Sequence, residues 1–88
     1  MKLTDWLDAL NLELEIKRFP NQQERWIVNV PHSEIKGDGV LIGTYGDADN
    51  VRAAIFNYMG KIQGQVLVLN AGSSKTRREY TVPEELTY

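Results

Sequence analysis

Cysteine is absent from the 88 residues, and histidine occurs once, as His32. The first absence excludes disulfides, thiolate metal sites and cysteine nucleophiles. The second excludes a multi-histidine metal centre. No apolar run approaches the roughly 20 residues that span a bilayer. The first residues also lack a basic segment leading into an apolar stretch, so no membrane insertion or export is expected and a cytoplasmic location is the default. Strong positive charge is missing too. A net charge of −2 argues against a general nucleic-acid binder. The charge is uneven, however. Residues 1–50 hold five Lys/Arg and nine Asp/Glu, and residues 51–88 hold five and three. Lys75, Arg77 and Arg78 supply much of the local excess.

What is present is hydrophobic periodicity. Leu3, Trp6, Leu7 and Leu10 recur at i, i+3, i+4 and i+7, the pattern of a short amphipathic helix over residues 4–10, with Thr4 as its cap and Asn11 as a left-handed stop. A helix this short is unstable alone, so its apolar face must meet the rest of the chain or a partner. Leu3, Trp6 and Leu7 are therefore candidate protein-contact residues. "LELEIKRF" alternates with period two, "PNQQ" is turn chemistry, and "ERWIVNVP" puts Trp26, Val28 and Val30 on one face; together they predict an antiparallel hairpin. "HSEIKGDG" reads as a loop and "VLIGTYG" as a third strand. Val51, Ala54, Ile55, Tyr58 and Ile62 form a helical stripe, capped by Asp47, Asp49 or Asn50 and stopped at Gly64. "QVLVL" and "RREYTV" are two further strands, and the tail 83–88 is expected to fray. The fold class is α+β. One domain over residues 1–88 has the order α-β-β-β-α-β-β, with helix packed on a mostly antiparallel sheet.

Chemistry is scarce. His32, Ser33 and Glu34 are consecutive in one segment, whereas the groups of a catalytic triad converge from different segments. Asp47 and Asp49 suit helix caps. Trp6, Trp26, Tyr45 and Tyr58 fall on or near apolar faces and are expected in the core. "VLVLNAGSSKT" invites a phosphate-loop reading. A Walker loop needs Gly-Lys followed by a helix, but Lys75 has no Gly before it and "RREYTVP" is strand. A tight polar turn built from Ala71 to Thr76 between two strands is the expectation, with Lys61, Lys75, Arg77 and Arg78 as candidate contacts to nucleic acid or an acidic partner. No enzyme activity, cofactor or metal is expected.

Four resemblances attach to these motifs. "VLVLNAGSSK", Val66 to Lys75, resembles the first motif of acetate and propionate kinases, which contributes to binding the substrates of phosphoryl transfer. The three-strands-then-helix run resembles double-stranded-RNA-binding domains. Those carry a Lys-rich start to the second helix, where this chain has Asp47, Asp49 and Asn50. Over about residues 12–70 the pattern also resembles the core of HicB-type antitoxins, which implies neutralisation of a small RNase by protein contact. "LVLNA" and "REYTVP", Leu67–Ala71 and Arg78–Pro83, are similar to segments of small uncharacterised proteins of temperate phages of Gram-positive bacteria. The resulting expectation is a non-catalytic phage- or prophage-type accessory protein acting on a host or toxin protein, as a monomer or homodimer. The alternative is a nucleic-acid-binding accessory domain using a small basic tip. A phosphate-binding enzyme fragment is a remote third.

Overall fold

The computed structural model describes residues 1–19, 21 and 25–88. Among these residues two helices and seven strands follow the order α1 (Leu3–Ala9), β1 (Glu15–Arg18), β2 (Trp26–Asn29), β3 (Ser33–Gly37), β4 (Val40–Gly43), β5 (Gly46–Ala48), α2 (Val51–Ile62), β6 (Val66–Leu69) and β7 (Arg78–Thr81). The chain is an α+β domain with helix packed on antiparallel strands, and it has two more strands than the sequence pattern predicts. The strands form two sheets, of order β1-β2-β5 and β4-β3-β6-β7.

The two extra strands have separate causes. "HSEIKGDG" is strand and turn, not loop: Asp38 and Gly39 adopt φ of 50° and 79°. Positive φ at both central residues is the requirement of the two-residue type I′ hairpin, and Asp-Gly is among its preferred sequences. β3 and β4 flank this turn, with Gly37 opposite Val40 and Ile35 opposite Ile42. "VLIGTYG" then divides. Its first half pairs with β3 in one sheet, and Gly46–Ala48 pairs with β2 in the other.

The division follows from a mismatch of lengths. From Val28 to Glu34 the chain advances six residues, while the facing segment runs back only three, from Gly46 to Gly43. Val30, Pro31 and His32 take up the difference. Pro31 has no N–H to give a ladder, and His32 adopts φ 58°. The kinked backbone is still satisfied. The Val30 N–H donates to the Tyr58 hydroxyl at 3.1 Å, the Ser33 hydroxyl donates to the Val30 carbonyl at 2.5 Å, and the Asn70 N–H donates to the His32 carbonyl at 2.9 Å.

α2 lies across β5 and β2. Asn50 caps it, accepting from the Ala53 N–H at 2.9 Å, so the aspartates are not the cap. Its stripe is as predicted, with Ala54, Ile55, Tyr58 and Ile62 buried. Gly46 sets the closest approach of strand to helix: a Cβ there would overlap the Ala54 carbonyl and lie 2.5 Å from both the Tyr58 N and Cβ. After Ile62, Gln63 (φ −52°, ψ 130°) and Gly64 (φ 70°) make a turn closed by the Gln65 N–H on the Ile62 carbonyl at 2.9 Å. This is type II geometry, which requires positive φ at its third residue and so favours glycine there.

α1 begins one residue earlier than expected. Lys2 is its N-cap, without a side-chain bond, so Thr4 does not cap it. Its end is a Schellman motif. Asn11 has φ 56°, its N–H donates to the Asp8 carbonyl at 3.1 Å, and the Leu12 N–H donates to the Leu7 carbonyl at 2.9 Å. β1 and β2 form the predicted hairpin, although the alternation at Leu12 and Leu14 precedes the paired residues. Asn21 has the turn's positive φ of 66°; Pro20, Gln22 and Gln23 of "PNQQ", and Glu24, lie outside the described residues.

Residues 83–88 are docked rather than frayed. The Gly64 N–H donates to the Pro83 carbonyl, the Leu86 N–H to Gln63 Oε1, and the Leu3 N–H to the Thr87 carbonyl, at 3.1, 2.8 and 2.7 Å. Thr87 pairs in parallel with Lys2. Leu86 is buried in the same core as Leu3, Trp6, Val28, Tyr58 and Leu67. The sequence offered no period for this segment because a strap held by scattered backbone bonds has none.

Candidate functional site

Leu3, Trp6 and Leu7 are buried in the core, so they do not form the exposed contact face that the helical pattern offered a partner. A short helix must hide its apolar stripe, and here the stripe lies in one core with Leu86 of the tail and buried residues of β2, α2 and β6.

The basic tip is also divided. β6 and β7 pair as predicted, with Leu69 opposite Arg78 and no helix after Lys75. The connection runs from Asn70 to Arg77, longer than a tight turn. It is held by the Ser73 N–H on the Asn70 carbonyl and the Arg77 N–H on the Ser73 carbonyl, at 2.9 and 3.0 Å. Arg77 is tied to the Glu79 carboxylate at 3.0 Å, which also has Lys36 at 3.7 Å. Hydrogen bonding to Arg77 and the charge of Lys36 hold the Glu79 carboxyl below the usual glutamate range. Arg78 and Lys75 remain exposed. Lys61 belongs elsewhere, on α2, where its ammonium donates to the Tyr45 carbonyl at 2.9 Å. No hydrogen bond or ion pair among the described residues joins Lys61 to the β6–β7 tip.

Of the aromatics expected in the core, Trp6 and Tyr58 are buried, Trp26 is half-buried with Arg18 at 5.1 Å from its ring centroid, and Tyr45 is on the surface. Tyr58 is fixed by the kink at Val30. Burial pushes its phenol above the ordinary value, against the opposing effect of the Val30 and Ser33 hydrogen bonds. His32 is exposed, and its neighbours Ser33 and Glu34 lie along β3, so no triad geometry forms. Asp47 is a strand residue of β5 paired with Arg25, whose guanidinium donates to it at 2.6 and 2.9 Å. No group of three His, Asp or Glu side chains is placed to share a metal ion among the described residues. Nor is any helix there long and apolar enough to cross a membrane.

The notable surface is one that sequence periodicity does not report: the outer side of α2. Tyr45, Phe56 and Tyr88 are 47%, 45% and 46% exposed. Phe56 and Tyr88 meet edge to face, with centroids 6.2 Å apart. The Arg52 guanidinium stands over both rings, at 5.1 and 5.9 Å, and the Lys61 ammonium stands 5.3 Å from the Tyr45 ring. At 3.6 residues per turn, Arg52 and Phe56 occupy one flank of the exposed face and Asn57 and Lys61 the other, with Ala53 and Gly60 between them. No acidic residue occurs in α2. Arg52 makes no ion pair among the described residues. Tyr88 reaches this flank because the tail is strapped to α1 and to the end of α2. A signal for half of it was in the sequence: Arg52 and Phe56 are spaced i, i+4 off the apolar stripe.

Compared with known proteins, the chain matches no family model, no curated protein and no solved structure.

Proposed function

We propose that the chain is a non-catalytic protein-interaction module whose contact surface is the outer face of α2 with Tyr88 and Tyr45. The carrying observation is the exposed Phe56–Tyr88 pair under Arg52. Aromatic rings and arginine are the residues that dominate binding energy at interfaces, and a monomer gains little stability by displaying them. Ala53 and Gly60 leave the centre of the face low, so a partner's backbone or helix can approach between the two flanks. The two cations, with no acid on the helix, favour a partner segment that is acidic and has an apolar side. The likeness of Leu67–Ala71 and Arg78–Pro83 to small phage proteins supports a phage or prophage setting, in which a host or toxin protein is the kind of target such a module would occupy.

The test compares retention of bound protein by the wild type, Phe56→Ala, Arg52→Ala and the distal Arg78→Ala. A defined protein retained by the wild type and by Arg78→Ala, but lost with Phe56→Ala and Arg52→Ala, supports this reading. Retention unaffected by either α2 substitution overturns it. Exposed rings beside cations also suit stacking of single-stranded bases, which is the second reading. It requires oligonucleotide binding that weakens steeply with salt and falls with Phe56→Ala. Anisotropy showing no binding at low salt eliminates it.

A further inference from the structure

The four sheet edges are defended unequally. β1 carries Glu15 and Lys17, which form an ion pair, along with Arg18; β5 carries Asp47; and β7 carries Arg78 and Glu79. Charges of this kind are how natural proteins keep edge strands from pairing with another chain. β4, "VLIG", is the edge of the four-stranded sheet and has neither charge nor proline. Its Val40 and Ile42 are 59% and 52% exposed. They lie on one face, since alternate residues of a strand do.

The hairpin fixes which backbone groups are free. A two-residue turn makes Gly37 and Val40 a hydrogen-bonded pair, and in an antiparallel ladder such pairs alternate, so Ile35 and Ile42 are the next. Val40 and Ile42 therefore spend their N–H and C=O groups on β3. Leu41 and Gly43 turn theirs outward, where no strand among the described residues meets them.

We propose that β4 pairs antiparallel with β4 of a second copy about a two-fold axis at Leu41, joining the two four-stranded sheets edge to edge. A two-fold at that residue lets the outward Leu41 groups of the two copies bond each other reciprocally. It sets Val40 opposite Ile42 of the second copy, and Ile42 opposite its Val40. These are non-hydrogen-bonded positions, where side chains come closest, and branched pairs there stabilise a sheet. The same register brings Asp38 toward Thr44 of the other copy and not toward another acid. Two chains of net charge −2 thus meet through a neutral, self-complementary strand. This self-complementarity selects a second copy over a foreign peptide, which would face no charge to recognise. A four-residue strand gives a contact at the small end of specific interfaces, so the dimer depends on concentration.

The experiment is sedimentation of the full chain across a wide concentration range, with Val40→Lys and Ile42→Lys beside the wild type and circular dichroism to check that each variant folds. The expected result is a wild-type mass rising toward the dimer and monomers throughout for both lysine variants. A wild type that stays monomeric up to about 1 mM (some three orders above a micromolar Kd) overturns the proposal, as does a dimer that survives both variants. Because the chain has no native cysteine, register can be tested directly. A mixture of Val40→Cys and Ile42→Cys chains should form a disulfide-linked heterodimer under mild oxidation, and the absence of that species overturns the two-fold at Leu41. Phe56→Ala should leave the dimer intact, which separates this interface from the α2 surface.

Discussion

Gly46→Ala is the sharpest test of how the sheet and helix are joined. The added methyl would overlap the Ala54 carbonyl and stand 2.5 Å from the backbone N and the Cβ of Tyr58. None of these atoms is the far end of a flexible side chain. All belong to the backbone of α2 or to the root of its largest fully buried side chain, so no rotamer change relieves the overlap. To reach ordinary contact the helix must lift from β5 by about 1 Å, or β5 must leave β2. Overpacking of this kind costs roughly 1–3 kcal/mol. Lifting α2 also draws the Tyr58 hydroxyl from the Val30 N–H, now 3.1 Å away, and a lost buried hydrogen bond adds about 1 kcal/mol. A total near 3 kcal/mol is a large share of the ~4–13 kcal/mol that a chain of this size holds. At roughly 4–8 °C per kcal/mol for small domains, the melting temperature should fall by about 12–24 °C. Thermal and urea denaturation of Gly46→Ala beside Gly43→Ala provides the measurement, because a methyl at Gly43 meets nothing within 4 Å. If Gly46→Ala stays within about 0.5 kcal/mol of wild type, the level of an ordinary surface change, the close crossing of β5 and α2 is refuted.

Gly60→Ala should stabilise the protein by up to ~1 kcal/mol in urea denaturation, because Gly60 is an exposed interior position of α2 where a Cβ meets nothing. Tyr58→Phe should lose roughly 1–3 kcal/mol at pH 7, since it leaves the buried Val30 N–H without its acceptor. The same residue sets an alkaline limit. The folded phenol holds its proton above the ordinary value, so above about pH 10 the unfolded chain binds fewer protons and stability falls. Urea midpoints measured through that range should decline less in Tyr58→Phe than in wild type. Leu86→Ala should cost about 2 kcal/mol or more, against no measurable change if the tail were free; a urea midpoint equal to wild type would refute the docked strap.

Local chemistry determined much of the fold in advance. The stripe from Val51 to Ile62 specifies α2 because a period of 3.6 needs only neighbouring residues. Asn11 and Gly64 mark helix ends because few residues accept positive φ. Asp38-Gly39 marks a hairpin for the same reason; that signal was present, but the polar alternation of "SEIKG" reads as loop without a facing strand. Tertiary structure decided the rest. Tyr45 falls near an apolar face in the sequence, yet it is exposed, because it lies in the connection between β4 and β5 where the chain passes from one sheet to the other. "VLIGTYG" has no internal mark for its division between two sheets; the mismatch with the facing strand imposes it. Leu3, Trp6 and Leu7 form an apolar face by period alone, but whether that face meets a partner or the core depends on a tail eighty residues further along. The same tail brings Tyr88 to Phe56. The α2 surface therefore depends on contacts between the two ends of the chain, which no window of sequence contains.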